Sequence, residues 1–290
     1  WTIGPQGQVT LEGNGNNSAG IHGDALNFQG TLNVKNTAHL DADVVFHNSA
    51  VVRLQPSGPT AQPTLDLNGT TIFAGASFED IPNPAFPTIF QISQNGVLSV
   101  TQDTTVDIPS SVFDLDGIDG TSHTLVAGNT SLEINASGLE TPCSLSGESA
   151  FDGQLSLGNG AEFTLNTPSA WHNNGEIMMS NATLSGSGVS NTNLVHGTGN
   201  LSPSGLDNSG TVQSSDGGLL LIGPAPTKNL DLVKPASFDG VDVFDAGVIT
   251  HGFDLDGTSE NGVLHAIDGS IEVHSFQGRF IFDGTINVAN

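Results

Sequence analysis

Apolar and polar residues alternate in short runs along the whole chain. The runs TLNV (31–34), VLSV (97–100), SLEI (131–134), QLSL (154–157), EFTL (162–165), SIEV (270–273) and TINV (285–288) each place two apolar side chains on one side of an extended backbone. Successive side chains of a strand point to opposite faces, so each run predicts a strand with one buried face. Gly, Asn or Asp flanks most of the runs, and these residues tolerate the positive φ of tight turns. No stretch keeps a helical apolar stripe. SSVFDLDGIDG (110–120) is the nearest approach, and its glycines break it. The pattern predicts an all-β chain. Prolines gather in PNPAFP (82–87) and PAPTKNLDLVKP (224–235), which reads as two loops bulging from the body.

The runs belong to repeats. Phe-x-Gly followed by alternating residues occurs as FQGTLNV (28–34), FDGQLSL (151–157), FDGVDVF (238–244), FQGRFIF (276–282) and FDGTINV (282–288). Asn and Gly precede a strand in NGVLSV (95–100), NNGEIMM (173–179) and NSGTVQS (208–214). The pentapeptide FDLDG stands at 113–117 and again at 253–257, and it heads a longer block: 113–136 lies over 253–275. LDLNGTTIFAG (65–75) is a weaker relative. A long diverged super-repeat is therefore expected, with copies near 1–112, 113–252 and 253–290. Its last strand matches a stretch near its own start, which leads us to expect a segment of a longer repetitive protein.

One short amphipathic strand cannot bury its apolar face alone, but stacked copies line those faces into a continuous core. The expected fold is all-β, a single right-handed parallel β-helix (β-solenoid) over 1–290 with rungs of about 20 residues. Tandem β-sandwiches are the competing solution, since a two-residue turn such as NG at 95–96 suits an antiparallel hairpin.

Charge narrows the partners. Five Lys and Arg face 30 Asp and Glu, for a formal net charge of −25, yet charged residues make up only 12% of the chain. The acidity comes from missing cations. Such a surface repels phosphate backbones and anionic lipids, so neither nucleic-acid binding nor membrane insertion is expected. No apolar run approaches the ~20 residues of a membrane-spanning helix. The one cysteine, Cys143, allows neither an intrachain disulfide nor a cysteine metal cluster, and reads as a small core residue.

The stretch from 171 to 223, WHNNGEIMMSNATLSGSGVSNTNLVHGTGNLSPSGLDNSGTVQSSDGGLLLIG, carries a resemblance. It has Asn-x-Gly before strands, Gly-x-Gly between them and a closing apolar run. In this it resembles the parallel β-helix repeats of bacterial surface proteins, such as autotransporter passengers and large adhesins. The likeness is one of texture over most of the chain and includes no family-diagnostic motif. It implies a cell-surface or extracellular setting and a structural or adhesive role.

Many parallel β-helices instead act on polysaccharides. A uronate lyase needs a strong base beside a cation that neutralises the sugar carboxylate. Here only Lys35, Arg53, Lys228, Lys234 and Arg279 are available, and they are scattered. The adjacent Asp pair, Gly-His-Gly and Arg-x-Lys of the polygalacturonase-like family are not written either. Pairs of carboxylates that could hydrolyse a neutral glycan arise by chance among 30 acidic residues. A glycan-active or glycan-binding β-helix, lyase, hydrolase or tailspike-like, is the second reading. No catalytic residues are assigned.

Two clusters could hold a metal. DLDGIDG sets Asp114, Asp116 and Asp119 around two glycines, hard oxygen ligands in a sharp turn, as in part of a calcium loop. It lacks the acidic residue that closes an EF-hand loop, and a solvated Asp-Gly turn explains it as well. Calcium at these three residues is the only cofactor the sequence suggests. HLDADVVFH (39–47) would place His39, Asp41, Asp43 and His47 on one strand face, either a metal row or the wet side of a strand whose Leu40, Val44 and Phe46 face the core. The chain has two Trp and no Tyr, so an aromatic platform for sugar rings is poor, and surface glycans would meet Asn, Asp and Ser instead. The sequons at Asn68, Asn129, Asn135 and Asn181 are what chance provides in so Asn-, Ser- and Thr-rich a chain. Both terminal stretches, WTIGPQGQVTL and FDGTINVAN, read as uncapped strands. The expected partners are accordingly further copies, or the remainder of a longer chain, stacked end to end.

Overall fold

In a computed structural model, side chains are described for residues 1–13, 18–55, 64–81, 89–92, 96–115, 122–137 and 150–204, and backbone strands continue in short stretches from 206 to 288. Among the described residues there is no helix, and the strand-to-strand pairings are parallel. An isolated antiparallel bridge joins His47 to Gly75. The chain is a parallel β-solenoid, and the tandem sandwiches are set aside. The NG turn shows why. Ile89–Ile92 and Val97–Gln102 flank it and do not pair with each other. Ile89–Ile92 pairs with Thr64–Leu67 on the previous turn, and Val97–Gln102 pairs with Thr70–Ala74. The two strands belong to different ladders and do not form a hairpin.

Each rung passes through three ladders in a fixed order. Thr31–Lys35 lies in the second ladder; Thr37–His47 bends from the third ladder into the first; Val51–Leu54 returns to the second. One register row of the first ladder runs Leu98, Thr124, Leu155, Ile177, Val195, Val212, Phe238, Leu264, Ile286, and its members up to Val195 are buried. Thr124 and Leu264, in the two FDLDG blocks, are 140 positions and six rungs apart in this row, and Phe113 and Phe253 both lie in the third ladder.

Rung length is not constant. In the first ladder the chain advances 17 residues from His196 to Gln213 and 31 from Leu125 to Ser156. The expected length of about 20 holds for some rungs only. The Phe-x-Gly motif also serves more than one corner. Phe28–Gly30 turns the first ladder into the second, whereas Phe151–Gly153 turns the third into the first. Gly is needed there because backbones nearly touch. A Cβ on Gly30 would lie 2.1 Å from the Gly7 carbonyl oxygen.

Inward positions form one core down the axis. Six rings from different ladders stack along it. Phe28 and Phe46 lie 5.3 Å apart, Phe73 and Phe78 4.4 Å, and Phe90 and Phe113 5.1 Å. A second group joins Phe151 and Phe163 to Trp171 at 5.3 and 6.1 Å. Each such side chain removed from water contributes about 1.5–3 kcal/mol. On the third ladder the inward residues Asn173 and Asn191 replace apolar ones, and Asn208 follows them in register. The proline loop 82–87 lies outside the described residues, as does the loop 224–235 apart from Leu230–Asp231, a strand of the third ladder.

Candidate functional site

Among the described residues, the outward face of the third ladder and of its bend into the first carries the richest chemistry. Thr37–His47 alternates as a strand should. Leu40, Ala42, Val44 and Phe46 are buried, while His39, Asp41, Asp43 and His47 face outward. Residues two apart on a strand are separated by about 6.6 Å, whereas neighbouring rungs are about 4.8 Å apart. Polar partners are therefore found across rungs. His39 Nδ1 lies 2.9 Å from Asp66 Oδ2, 27 residues later, and Gln91 donates to Asp66 Oδ1 at 3.5 Å. His22 Nδ1 lies 2.6 Å from Asp41 Oδ2, and Asn68 donates to Asp41 Oδ1 at 2.5 Å. His47 Nε2 lies 3.3 Å from Asn27 Oδ1, and Asp43 accepts from the Thr70 N–H at 3.0 Å.

Both oxygens of Asp41 and of Asp66 are thus engaged. The four residues that the sequence placed in one row are divided among five different partners. A carboxylate on His Nδ1 orients the ring, which is half of a proton-transfer device. The other half would be a hydroxyl or thiol on Nε2, and no hydrogen bond from such a group to His22 or His39 occurs among the described residues. No group of three or more His, Cys, Asp or Glu stands ready for a metal there either.

The calcium candidate is only partly described. Asp114 ends the strand Thr104–Asp114 in the row of His39, Asp66 and Gln91, and it is buried and partnered. Asp116 and Asp119 lie outside the described residues.

The remaining outward rows follow the same rule. On the first ladder Glu176 accepts from Gln154 at 2.7 Å and lies 2.8 Å from His196 Nε2. On the second ladder Arg53 meets Glu79 at 3.1 Å, Lys35 meets Glu12 at 3.7 Å, and Asn166 donates to both Glu133 and Asn135. Sequence reasoning missed these pairs because their members are one rung apart, at a distance that changes from rung to rung. Comparison with protein-family models, curated proteins and solved structures gives no match for this chain.

Proposed function

We propose that this chain is a structural or adhesive β-solenoid of a bacterial cell surface, or of an extracellular filament or matrix. The observation that carries the reading is the use made of the outward polar side chains. His22, His39 and His196 each engage a carboxylate on the next or previous rung, and Arg53 and Lys35 do the same. These residues tie rung to rung along the axis instead of converging on one reaction centre. Among the described residues the result is a rod braced from rung to rung, suited to bearing load or displaying a surface. Extracellular placement fits the resemblance of 171–223 to surface-protein repeats and the scarcity of Lys and Arg, which leaves trypsin few cuts.

The partner in this proposal is a further parallel rung, from another copy or from the remainder of a longer chain. Thr2–Ile3 and Gln8–Glu12 pair on one side, with Asn27–Phe28 and Thr31–Lys35. Ile3, Val9, Ala19 and Ile21 pack on the core while only partly buried, and Trp1 is 82% exposed. A stacked rung would cover these side chains and complete the ladders.

The test is a depolymerisation assay. Neutral and uronate-containing polysaccharides are incubated with the purified chain and sized by gel filtration. The proposal expects unchanged polymer length. Shortened polymer, with the activity lost in His39→Ala or Asp66→Asn, would replace the structural reading with a glycan-active one.

A further inference from the structure

Buried donors and acceptors in folded proteins find a partner in the chain or in an ordered water. Two polar atoms of one strand have none in the chain. Trp171 and Asn173 stand two positions apart in the strand Trp171–Asn173, so both side chains point into the core. Trp171 is 2% exposed and Asn173 0%. The Trp171 indole nitrogen Nε1 and the Asn173 carbonyl oxygen Oδ1 are buried without a hydrogen-bond partner. The first can only donate and the second can only accept. The Asn173 amide is oriented by its nitrogen, which donates to Asn191 Oδ1 at 2.7 Å and to the Gly175 carbonyl oxygen at 3.4 Å. Turning the amide over would set its oxygen against both acceptors.

We propose that one ordered water molecule is held inside the solenoid between these two groups. It accepts from Trp171 Nε1–H and donates to Asn173 Oδ1, which gives it the two polar partners a buried water needs at the least. The Phe151 and Phe163 rings pack on Trp171 at 5.3 and 6.1 Å, so the place suits the smallest molecule that both accepts and donates. The other unpartnered hydroxyls of the core differ. Thr71 and Thr124 have Val44, Leu98 and Leu155 as their register neighbours, all apolar, and no complementary polar atom faces them there. The water continues the Asn173–Asn191 bond into a chain that ties the Trp171 ring to the polar row. The inference does not depend on what the outer surface binds.

Nuclear magnetic resonance on the whole chain, labelled with nitrogen-15 in tryptophan, tests it. The chain has two tryptophans and Trp1 is 82% exposed, so Trp1→Phe identifies the Trp171 indole signal. That signal is expected to show cross-peaks to water of opposite sign in the laboratory-frame and rotating-frame Overhauser experiments, the mark of a long-lived bound water and not of proton exchange. Asn173→Leu, which removes the acceptor, is expected to abolish them. Absence of such cross-peaks in the unaltered chain would overturn the proposal. So would their persistence in a folded Asn173→Leu chain, since the water would then be held elsewhere. If that variant does not fold, a crystal structure of the unaltered chain decides: density within hydrogen-bond distance of both atoms supports the water, and its absence from either atom refutes it.

Discussion

The side-chain amide of Asn173 donates to Oδ1 of Asn191 at 2.7 Å, one rung on, and both side chains are fully buried. An interior Asn is costly unless its amide is bonded, and stacking like on like provides that bond to the Asn173 N–H, while the Asn173 Oδ1 is buried without a hydrogen-bond partner in the chain. The contact also favours this register, because a slip of one residue would carry one of the two amides to the other face of the ladder and break the bond. Asn191→Ala should therefore lower stability by about 1–3 kcal/mol, the usual cost of leaving a buried amide unpaired. Denaturant unfolding of the variant measures it. Loss within error of a surface substitution would show that the Asn row is incidental.

Thr71 presents the opposite case. Its hydroxyl is buried among Val44 and Leu98 and has no partner. Thr71→Val keeps the shape and removes the unsatisfied group, so it should raise stability by about 1 kcal/mol. A thermal melt that falls instead would mean the hydroxyl is bonded.

Corner glycines divide into two kinds. Gly197 has φ of 122° and a Cβ there would lie 1.9 Å from the Met179 carbonyl oxygen, whereas a Cβ on Gly23 meets nothing within 4 Å. Gly197→Ala should cost about 1–3 kcal/mol through backbone displacement, and Gly23→Ala should be near neutral. Equal effects in denaturant unfolding would contradict the close approach of successive corners.

The Arg53–Glu79 pair is different in weight from the interior contacts. With its side chains 35% and 47% exposed, it is open to solvent screening. Arg53→Ala should cost under about 1 kcal/mol, and the difference should shrink in salt. A large, salt-independent loss would mean that Arg53 packs its stem as a structural element.

Much of this fold could be read in the alternating runs. TLNV, VLSV, QLSL and EFTL each lie within a strand, because period-two alternation is a property of each strand alone. The partners could not be read. The distance from His39 to Asp66 is 27 residues and that from Glu176 to His196 is 20. It is set by how many residues each corner spends outside the ladders. Phe-x-Gly misled the expectation of a fixed rung for a related reason. It encodes a corner, where Gly must let two backbones approach, and a three-sided rung has three corners. The row His39, Asp41, Asp43, His47 was correctly placed outward, but the groups that neutralise it came from rungs invisible in the local sequence.

The proposal that further rungs stack on the ends of this rod is tested most directly by electron microscopy of the purified protein. Thirteen levels in the first ladder, from Thr2–Ile3 to Gly284–Val288, at about 4.8 Å each give a rod of about 60 Å. The account predicts rods of that length joined end to end into longer, straight filaments. Dispersed single particles at every concentration, with both ends of each rod covered by its own chain, would contradict it.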